Sequence, residues 1–183
     1  CIELDINTAT FFAMSSENMN RPKEETEFIS ILLDNSIKKH LQDLLDNQIK
    51  FTVIGDLSHL PENIKNTIEY AETVTSKFTK YRLNIAYNYG GQWDVINSIN
   101  TLLSKKLVIS HVNLSKYLST GSDFPDLIVR TGGYKRLSNF MLWQAAYSEL
   151  IFLDTLWPEF SSNDVSNIVS NYKSIKRKFG KVD

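Results

Sequence analysis

The chain has 183 residues, of which 42% are hydrophobic and 22% charged, and its 20 basic and 21 acidic residues give a net charge of −1. A chain of this length and composition can form a soluble globular protein with a real core, and its balanced charge argues against nucleic-acid binding. Cys1 is the only cysteine, so no disulfide can form within the chain, and no apolar run reaches the length of a membrane span. A cytoplasmic protein fits these features.

The first part of the chain predicts a strand, a polar turn and a long helix. Thr8–Met14 is rich in aromatic and β-branched residues, which favours a buried strand, and Ser15–Asn18 follows as the turn. Arg21-Pro22 leads into a helix that runs to about Asp46, because proline suits the first helical position. Three apolar residues widen the face of this helix beyond a single stripe: Phe28, Ile31 and Leu32. Either the helix is well buried in the core, or its extra apolar face lines a cavity for a greasy ligand.

Further strands and helices alternate along the rest of the chain. The predicted strands are Phe51–Ile54, Leu83–Tyr87, Leu127–Val129 and Leu150–Leu153. Helices are predicted from Pro61, after Gly91, near Leu114–Leu118, over Ser138–Tyr147, and from a cap at Ser161 or Ser162. The helix after Gly91 is expected to turn five residues inward: Val95, Ile96, Ile99, Leu102 and Leu103. Trp143 and Trp157 are predicted to be core residues.

This alternation predicts the fold class. Most of the strands are apolar on both faces, which is typical of a mainly parallel sheet covered by helices. We see no internal repeat and no linker, so the sequence predicts an α/β fold in a single domain over residues 1–183, with five strands in a central sheet.

One stretch stands out for its chemistry, Arg130–Phe140, which follows the predicted strand Leu127–Val129. Its two arginines, Arg130 and Arg136, can grip phosphate oxygens in a bidentate way, and Ser138 adds a hydroxyl donor. The glycine pair between the arginines lets the backbone turn tightly and bring N–H groups close to an anion. The stretch therefore predicts a diphosphate site, although a glycine pair after a strand also occurs as a plain turn.

Two more polar clusters follow strands, Ser15–Asn18 with Arg21, and Asn88–Gly91. Because the carboxyl ends of parallel strands share one edge of a sheet, the three clusters are expected to converge. A serine or Asx turn before a helix is the alternative for Ser15–Asn18, and a structural role is favoured for Asn88–Gly91. The three histidines share no ligand spacing, and the chain contains no Walker A loop, no GxGxxG and no Asp-Asp-x-x-Asp sequence.

Taken in order, these blocks resemble the cis-prenyltransferase family, and most closely the bacterial undecaprenyl diphosphate synthases. The resemblance covers nearly the whole chain. The matching blocks are Ser15–Asn18 with Asn20–Pro22, Val53–Asp56, Leu83–Ala86, Asn88–Gly91, Arg130–Gly133, Arg136–Phe140, Leu142–Gln144, Tyr147–Leu150, Trp157-Pro158 and Phe179-Gly180.

The resemblance implies roles for some of the matching residues. The residues implied to bind isopentenyl diphosphate are Arg130, Arg136, Leu137 and Ser138. Those implied to hold substrate near the reacting carbons are Ser15, Ser16, Glu17, Met19 and Arg21. Asn18 occupies the position linked to proton removal, although an amide is a poor base and a hydrogen-bonding role is easier to credit. Glu149 is implied to hold Mg²⁺, a hard cation that carboxylates suit.

The resemblance also implies an activity and partners. Members of the family are Mg²⁺-dependent homodimers with a hydrophobic tunnel, here lined by the helix over residues 25–46. They add isopentenyl diphosphate repeatedly to an allylic diphosphate, such as farnesyl diphosphate, and form cis double bonds. The expected product is undecaprenyl diphosphate, a lipid carrier for cell-wall glycan synthesis that is delivered to the membrane. The enzyme is expected in the cytoplasm or at the membrane surface.

The chain departs from the family pattern at several positions. Met14, Met19, Tyr134, Lys135 and Lys178 replace residues that are usual in the family. The family's Asp-Gly-Asn-Gly-Arg-Trp block, with its catalytic aspartate, is absent. We therefore expect a cis-prenyltransferase domain that is N-terminally incomplete, lacks a sixth strand and is inactive alone.

Two other functions remain open. A non-catalytic accessory subunit of a cis-prenyltransferase complex would share the fold, but such subunits typically lose the residues that grip diphosphate. The second alternative function is that of an α/β module that binds phosphate but catalyses no reaction. Consumption of labelled isopentenyl diphosphate would separate the enzyme from both.

Overall fold

The fold was obtained as a computed structural model, which describes residues 1–176. The chain divides into two compact units, Cys1–Ile96 and the part from Asn97 onward, and each is described by itself. Lys178 and Phe179-Gly180, which entered the family resemblance, lie outside the described residues.

The first unit contains three parallel strands, β1 (Thr8–Phe12), β2 (Ile49–Ile54) and β3 (Tyr81–Ala86). The strand order is β1-β3-β2, so β3 lies in the middle and Asn84 pairs with Thr10 on one side and Thr52 on the other. β1, predicted to be buried, is only half-buried.

Two helices, α1 (Lys23–Asp46) and α2 (Glu62–Thr75), pack on each other and both contact β2. Prolines at positions 22 and 61 immediately precede them, as the sequence predicts. The core they share is apolar and continuous. Its buried residues are Met14, Leu33, Ile37, Leu44, Phe51, Val53, Leu60, Ile64, Ile68, Ala71 and Tyr87.

The wide apolar face of α1 is divided between core and surface. Leu33, Ile37 and Leu44 are buried, and of these Leu33 and Ile37 continue a four-residue spacing from Ile29. The residues that widen the face, Phe28, Ile31 and Leu32, are exposed, with 65% of Phe28 accessible. Of the two alternatives for this helix, burial of its wide face in the core is therefore not what the structure shows, because a helix packed on one side cannot bury an apolar face of this width. The tunnel stays a prediction.

The second unit begins within α3 (Gly91–Ser104) and continues through α4 (His111–Tyr117). Two parallel strands follow, β4 (Leu127–Arg130) and β5 (Glu149–Phe152), and then α5 (Ser162–Ser174). Ser161 caps α5 in a capping box, because its hydroxyl accepts from the Asp164 N–H while Asp164 Oδ2 accepts from the Ser161 N–H.

Several local predictions for this part of the chain are wrong. Of Ser138–Tyr147, only Gln144–Tyr147 forms a 3₁₀ helix, because Ser138, Asn139 and Met141 have positive φ angles that interrupt any helix. Ile96 and Leu103, predicted to point inward, are exposed on α3, and Trp157 is exposed in a 3₁₀ turn.

The fold class is confirmed as α/β with parallel strands flanked by helices. Within residues 1–176 the five strands pair as a group of three and a group of two. The single domain and the sixth strand stay predictions. Among the described residues, no helix is long and apolar enough to span a bilayer.

Candidate functional site

The first polar cluster is a tight turn at the carboxyl end of β1. Ser16–Asn20 forms a 3₁₀ helix with Ser15 as its N-cap, and the Asn18 Oδ1 atom accepts a hydrogen bond from the Ser15 N–H at 3.2 Å. The Ser16 N–H donates to the Tyr89 carbonyl at 2.9 Å, and the Tyr89 N–H donates to the Met14 carbonyl at 3.1 Å. The turn is therefore hydrogen-bonded to the segment that follows β3.

The charged side chain of this turn is already paired. Arg21 Nη1 lies 2.6 Å from Glu25 Oε1, one helical turn later in α1, and both side chains are about half exposed. An exposed ion pair of this kind contributes only about 0.5 kcal/mol, so an anionic ligand could displace Glu25 at low cost. A substrate that displaces Glu25 would therefore gain a contact with Arg21. The substrate-binding role of Arg21 stays a prediction.

The segment after β3 is held by close backbone packing. Gly55, at the end of β2, has φ +126°, and a Cβ atom there would lie 1.9 Å from the Tyr87 carbonyl oxygen. Asn88 also has a positive φ of 46°, and its Nδ2 atom lies 2.7 Å from the Asp56 carbonyl and 2.6 Å from His59 Nε2. These contacts agree with the structural role that the sequence favours for Asn88–Gly91.

Buried polar groups reinforce the same segment. The Tyr87 hydroxyl lies 2.6 Å from the Ser30 hydroxyl of α1, and the Tyr89 hydroxyl donates to Asp94 Oδ2 at 2.9 Å. Burial raises the pKa of the Asp56 carboxyl, but hydrogen bonds from Ser58 outweigh it and leave the pKa below the usual range. Sequence reasoning missed these supporting contacts, because nothing in the spacing of Ser30, Tyr87 and Asp94 indicates that they form hydrogen bonds.

The arginine loop, Arg130–Ser138, is the second candidate region. Arg130 Nη1 donates to the Ser138 hydroxyl at 2.6 Å and to the carbonyl of Arg136. Both guanidinium groups lie against the Tyr134 ring, whose centroid is 4.3 Å from Arg136 Cζ and 5.6 Å from Arg130 Cζ. The structure thus brings Arg130, Arg136 and Ser138 together, as the sequence predicts for a diphosphate site.

The charge of this loop is not neutralised. Among the described residues, no carboxylate lies within 4.0 Å of the guanidinium of Arg130 or Arg136. Two guanidinium groups beside one ring repel each other, and the electron-rich ring reduces this cost without removing either charge. The loop is therefore suited to an anion with several oxygens.

The glycine pair has a different role from the one predicted. The Gly132 N–H donates to the Thr155 carbonyl at 2.9 Å, and the Gly133 N–H donates to the Leu153 carbonyl at 2.8 Å. Both glycines have positive φ angles, which lets them make these bonds without steric cost. They attach the arginine loop to the end of β5, and their N–H groups are not directed at an anion.

The end of the loop is a strained segment. Ser138, Asn139 and Met141 have φ angles of 49°, 62° and 45°. Each such residue costs roughly 1–2 kcal/mol relative to a right-handed conformation, and strain of this kind concentrates at functional sites. The strained backbone holds the Ser138 hydroxyl against Arg130.

Glu149, predicted to hold Mg²⁺, lies apart from the arginines within this unit. It begins β5 opposite Leu127, whereas Arg130 pairs with Phe152, so about 10 Å of strand separates the two positions. Among the described residues, no group of three or more potential ligands surrounds a metal position. A single carboxylate still fits Mg²⁺, which commonly combines one or two carboxylates with substrate phosphates.

Comparisons with known proteins agree with these observations. Residues 1–180 match the prenyltransferase family that is described as undecaprenyl diphosphate synthase. The geranylgeranyl-diphosphate-specific tritrans,polycis-undecaprenyl-diphosphate synthase of Thermoplasma acidophilum is 42% identical over 99% of this chain and 74% of its own length. The farnesyl-diphosphate-specific ditrans,polycis-undecaprenyl-diphosphate synthase of Buchnera aphidicola is 41% identical over 96% of this chain and 73% of its own.

A solved structure is similar throughout. The crystal structure of a probable undecaprenyl diphosphate synthase from Campylobacter jejuni superposes with a TM-score of 0.91 at 35% identity, covering 99% of this chain and 86% of that one. With the family match, the two relatives and the parallel α/β fold, these findings show that the chain belongs to the cis-prenyltransferase family of transferases.

Proposed function

We propose that this chain condenses isopentenyl diphosphate repeatedly onto an allylic diphosphate with cis stereochemistry. The observation that carries the proposal is the arginine loop, where two guanidinium groups without a carboxylate partner among the described residues converge with the Ser138 hydroxyl. A diphosphate supplies the charge and the oxygens that such a site requires.

In the proposed reaction, the bond from the allylic carbon to its diphosphate breaks, and that carbon forms a bond to the terminal alkene carbon of isopentenyl diphosphate. This leaves a cation on C3 of isopentenyl diphosphate; a proton then leaves C2, the electrons of that C–H bond form the new C2=C3 double bond, and the released diphosphate accepts the proton. Arg130, Arg136 and Ser138 hold the diphosphate of isopentenyl diphosphate, and the Tyr134 ring keeps both guanidinium groups in place before the substrate binds.

Asn18 acts in this proposal by positioning and not as a base. Its Oδ1 atom already accepts from the Ser15 N–H, which leaves the amide N–H₂ group as the part able to donate to a substrate oxygen. Because the turn around Asn18 is hydrogen-bonded to the segment after β3, this donor is held in place. The predicted substrate-binding residues of the same turn are Ser15, Ser16, Glu17, Met19 and Arg21.

Mg²⁺ is part of the proposal. Glu149 is the residue proposed to hold it, together with diphosphate oxygens, since the hard cation prefers such ligands. When bound, Mg²⁺ stabilises the negative charge that develops on the leaving diphosphate.

The finer parts of the proposal are a farnesyl diphosphate primer, an undecaprenyl product and a homodimer in the cytoplasm that delivers its product to the membrane. The two relatives named above differ in primer, so the primer must be measured. An accessory subunit is the less favoured alternative, because Asn18, Arg130, Arg136 and Ser138 are all present.

Binding and turnover test the proposal separately. Isothermal titration with isopentenyl diphosphate should show binding by the parent chain and a much weaker response from Arg130→Ala. Turnover is measured with labelled isopentenyl diphosphate, Mg²⁺, and either farnesyl or geranylgeranyl diphosphate. We propose that these 183 residues alone are inactive or nearly so, and that a chimera with an Asp-Gly-Asn-Gly-Arg-Trp block placed in front elongates the primer. Binding without elongation by the chimera would support the accessory subunit instead.

A further inference from the structure

A second surface of the molecule has a composition that the proposed reaction does not use. The 103–116 tip comprises the end of α3, the connection Lys105–Ser110 and most of α4. Its exposed aliphatic residues are Leu103, Leu107, Val108, Ile109 and Val112. Val108 is 75% exposed and Val112 is 61% exposed, which is unusual for aliphatic residues in a folded chain.

The charge around this tip has one sign. Lys105, Lys106 and Lys116 are exposed, and the sequence has no acidic residue between Asp94 and Asp123. Among residues 1–176, none of the three lysines forms an ion pair. The aliphatic tip is therefore flanked by cations that no described carboxylate pairs with.

The backbone holds these residues in a defined shape. Lys106, the second residue after the end of α3, adopts a left-handed conformation with φ 55°, which glycine usually provides at helix ends. The Leu107 N–H donates to the Leu102 carbonyl at 2.9 Å, and the Lys106 N–H donates to the Leu103 carbonyl at 3.0 Å. A lysine thus occupies a position at which its own Cβ is disfavoured.

Hydrogen bonds at the start of α4 complete the arrangement. Ser110 caps the helix by accepting from the Asn113 N–H at 3.2 Å, and Asn113 Nδ2 donates to the Val108 carbonyl at 2.8 Å. These bonds hold the backbone at Val108 while its side chain remains exposed. The aliphatic side chains of the connection between α3 and α4 are therefore exposed although its backbone is held by hydrogen bonds.

We propose that the 103–116 tip docks this protein on an anionic lipid bilayer. Aliphatic side chains would enter the boundary between headgroups and acyl chains, while Lys105, Lys106 and Lys116 contact lipid phosphates. Protein interfaces are enriched in aromatic residues and arginine and depleted in lysine, so the composition of the tip favours lipid over a protein partner. The proposal goes beyond the proposed function and depends only on this surface.

The test uses the whole chain without substrate, so its result is independent of catalysis. Flotation with vesicles of phosphatidylcholine and one third phosphatidylglycerol should show binding that weakens in high salt, whereas phosphatidylcholine alone should bind little. Lys105→Gln/Lys106→Gln should lower the partition coefficient about 25-fold, or about 5-fold for each charge removed near the surface. Val108→Ser/Ile109→Ser should lower it at least about 10-fold.

The matched control is the exposed apolar face of α1, which lies near Glu24, Glu25 and Glu27. Ile31→Ser/Leu32→Ser removes a similar apolar area in an acidic setting and should leave vesicle binding unchanged. Thermal melting checks that each variant is folded. If the Val108→Ser/Ile109→Ser variant is unfolded, the Lys105→Gln/Lys106→Gln variant alone tests the proposal. The proposal is overturned if the parent does not bind anionic vesicles, or if the tip variants bind as well as the parent. It is also overturned if they change only the oligomeric state in sedimentation velocity, since the tip would then be an interface between copies.

Discussion

Two polar regions follow parallel strands in this chain and use their side chains in opposite ways. In the Ser15–Arg21 turn, Asn18 accepts from the Ser15 N–H and Arg21 pairs with Glu25, so its polar groups mainly satisfy one another. In the arginine loop, Arg130 and Arg136 share the Tyr134 ring and have no carboxylate partner among the described residues. Two similar polar clusters at strand ends can therefore differ in their charge. The arginine of the first cluster is paired with a carboxylate, whereas the arginines of the second have no described carboxylate partner.

The largest effect is expected from glycines that support the two regions. Gly55→Ala should lower the free energy of unfolding by roughly 3 kcal/mol or more, because the new Cβ atom would lie 1.9 Å from the Tyr87 carbonyl oxygen. Tyr87 belongs to the segment after β3 that is hydrogen-bonded to the Ser15–Arg21 turn. Gly132→Ala in the arginine loop also has a positive φ but nothing within 4 Å, so only about 1 kcal/mol of strain is expected. Urea unfolding measures both, and equal losses would show that the close contact at Gly55 relaxes.

Arg130→Ala tests the charge of the arginine loop. We expect the affinity for isopentenyl diphosphate to fall about 10- to 150-fold, the equivalent of a hydrogen bond to a charged group at about 1.5–3 kcal/mol. The loss of stability should be smaller, because the bonds to Arg136 and Ser138 are exposed. Arg130→Lys is the matched control, since it keeps the charge but loses the bidentate fork. Unchanged affinity in the alanine variant, measured by calorimetry, would contradict the assigned role.

Asn18→Ala tests the first turn. Loss of the side-chain acceptor for the Ser15 N–H should lower the free energy of unfolding by about 0.5–2 kcal/mol, as for other capping residues. Asn18→Asp keeps an acceptor oxygen at the same place and should retain most of that stability. If Asn18→Ala unfolds at the same urea concentration as the parent, the side chain contributes nothing to the turn.

Tyr134→Leu should have the smallest effect. The cation–π contacts of an exposed ring contribute about 0.5–1 kcal/mol, so the affinity for inorganic diphosphate should fall about 2- to 5-fold. Tyr134→Phe retains the ring and should bind like the parent. A leucine variant that also binds like the parent, while Arg130→Ala is impaired, would show that the arginines do not need the ring.

Much of the fold follows from local pattern. The alternation of apolar strands with amphipathic helices predicts the α/β class, and Pro22, Pro61 and Ser161 mark the starts of α1, α2 and α5 correctly to within a residue or two. These features depend on neighbours in the chain, through fixed φ angles and side-chain caps. The conjunction of Arg130, Arg136 and Ser138 is also local, since Arg130 and Ser138 are only eight positions apart in the chain.

Contacts between distant residues were not predictable in this way. Local pattern predicted the five strands, most of the helices and the arginine and serine side chains of the arginine loop. Folding brings the Gly132 and Gly133 N–H groups to carbonyls after β5, places both guanidinium groups against the Tyr134 ring, and leaves Ile96 and Leu103 exposed. None of these features could be read from the local pattern. The physical reason is that hydrophobic periodicity identifies an apolar face, whereas its burial depends on which other elements pack against it.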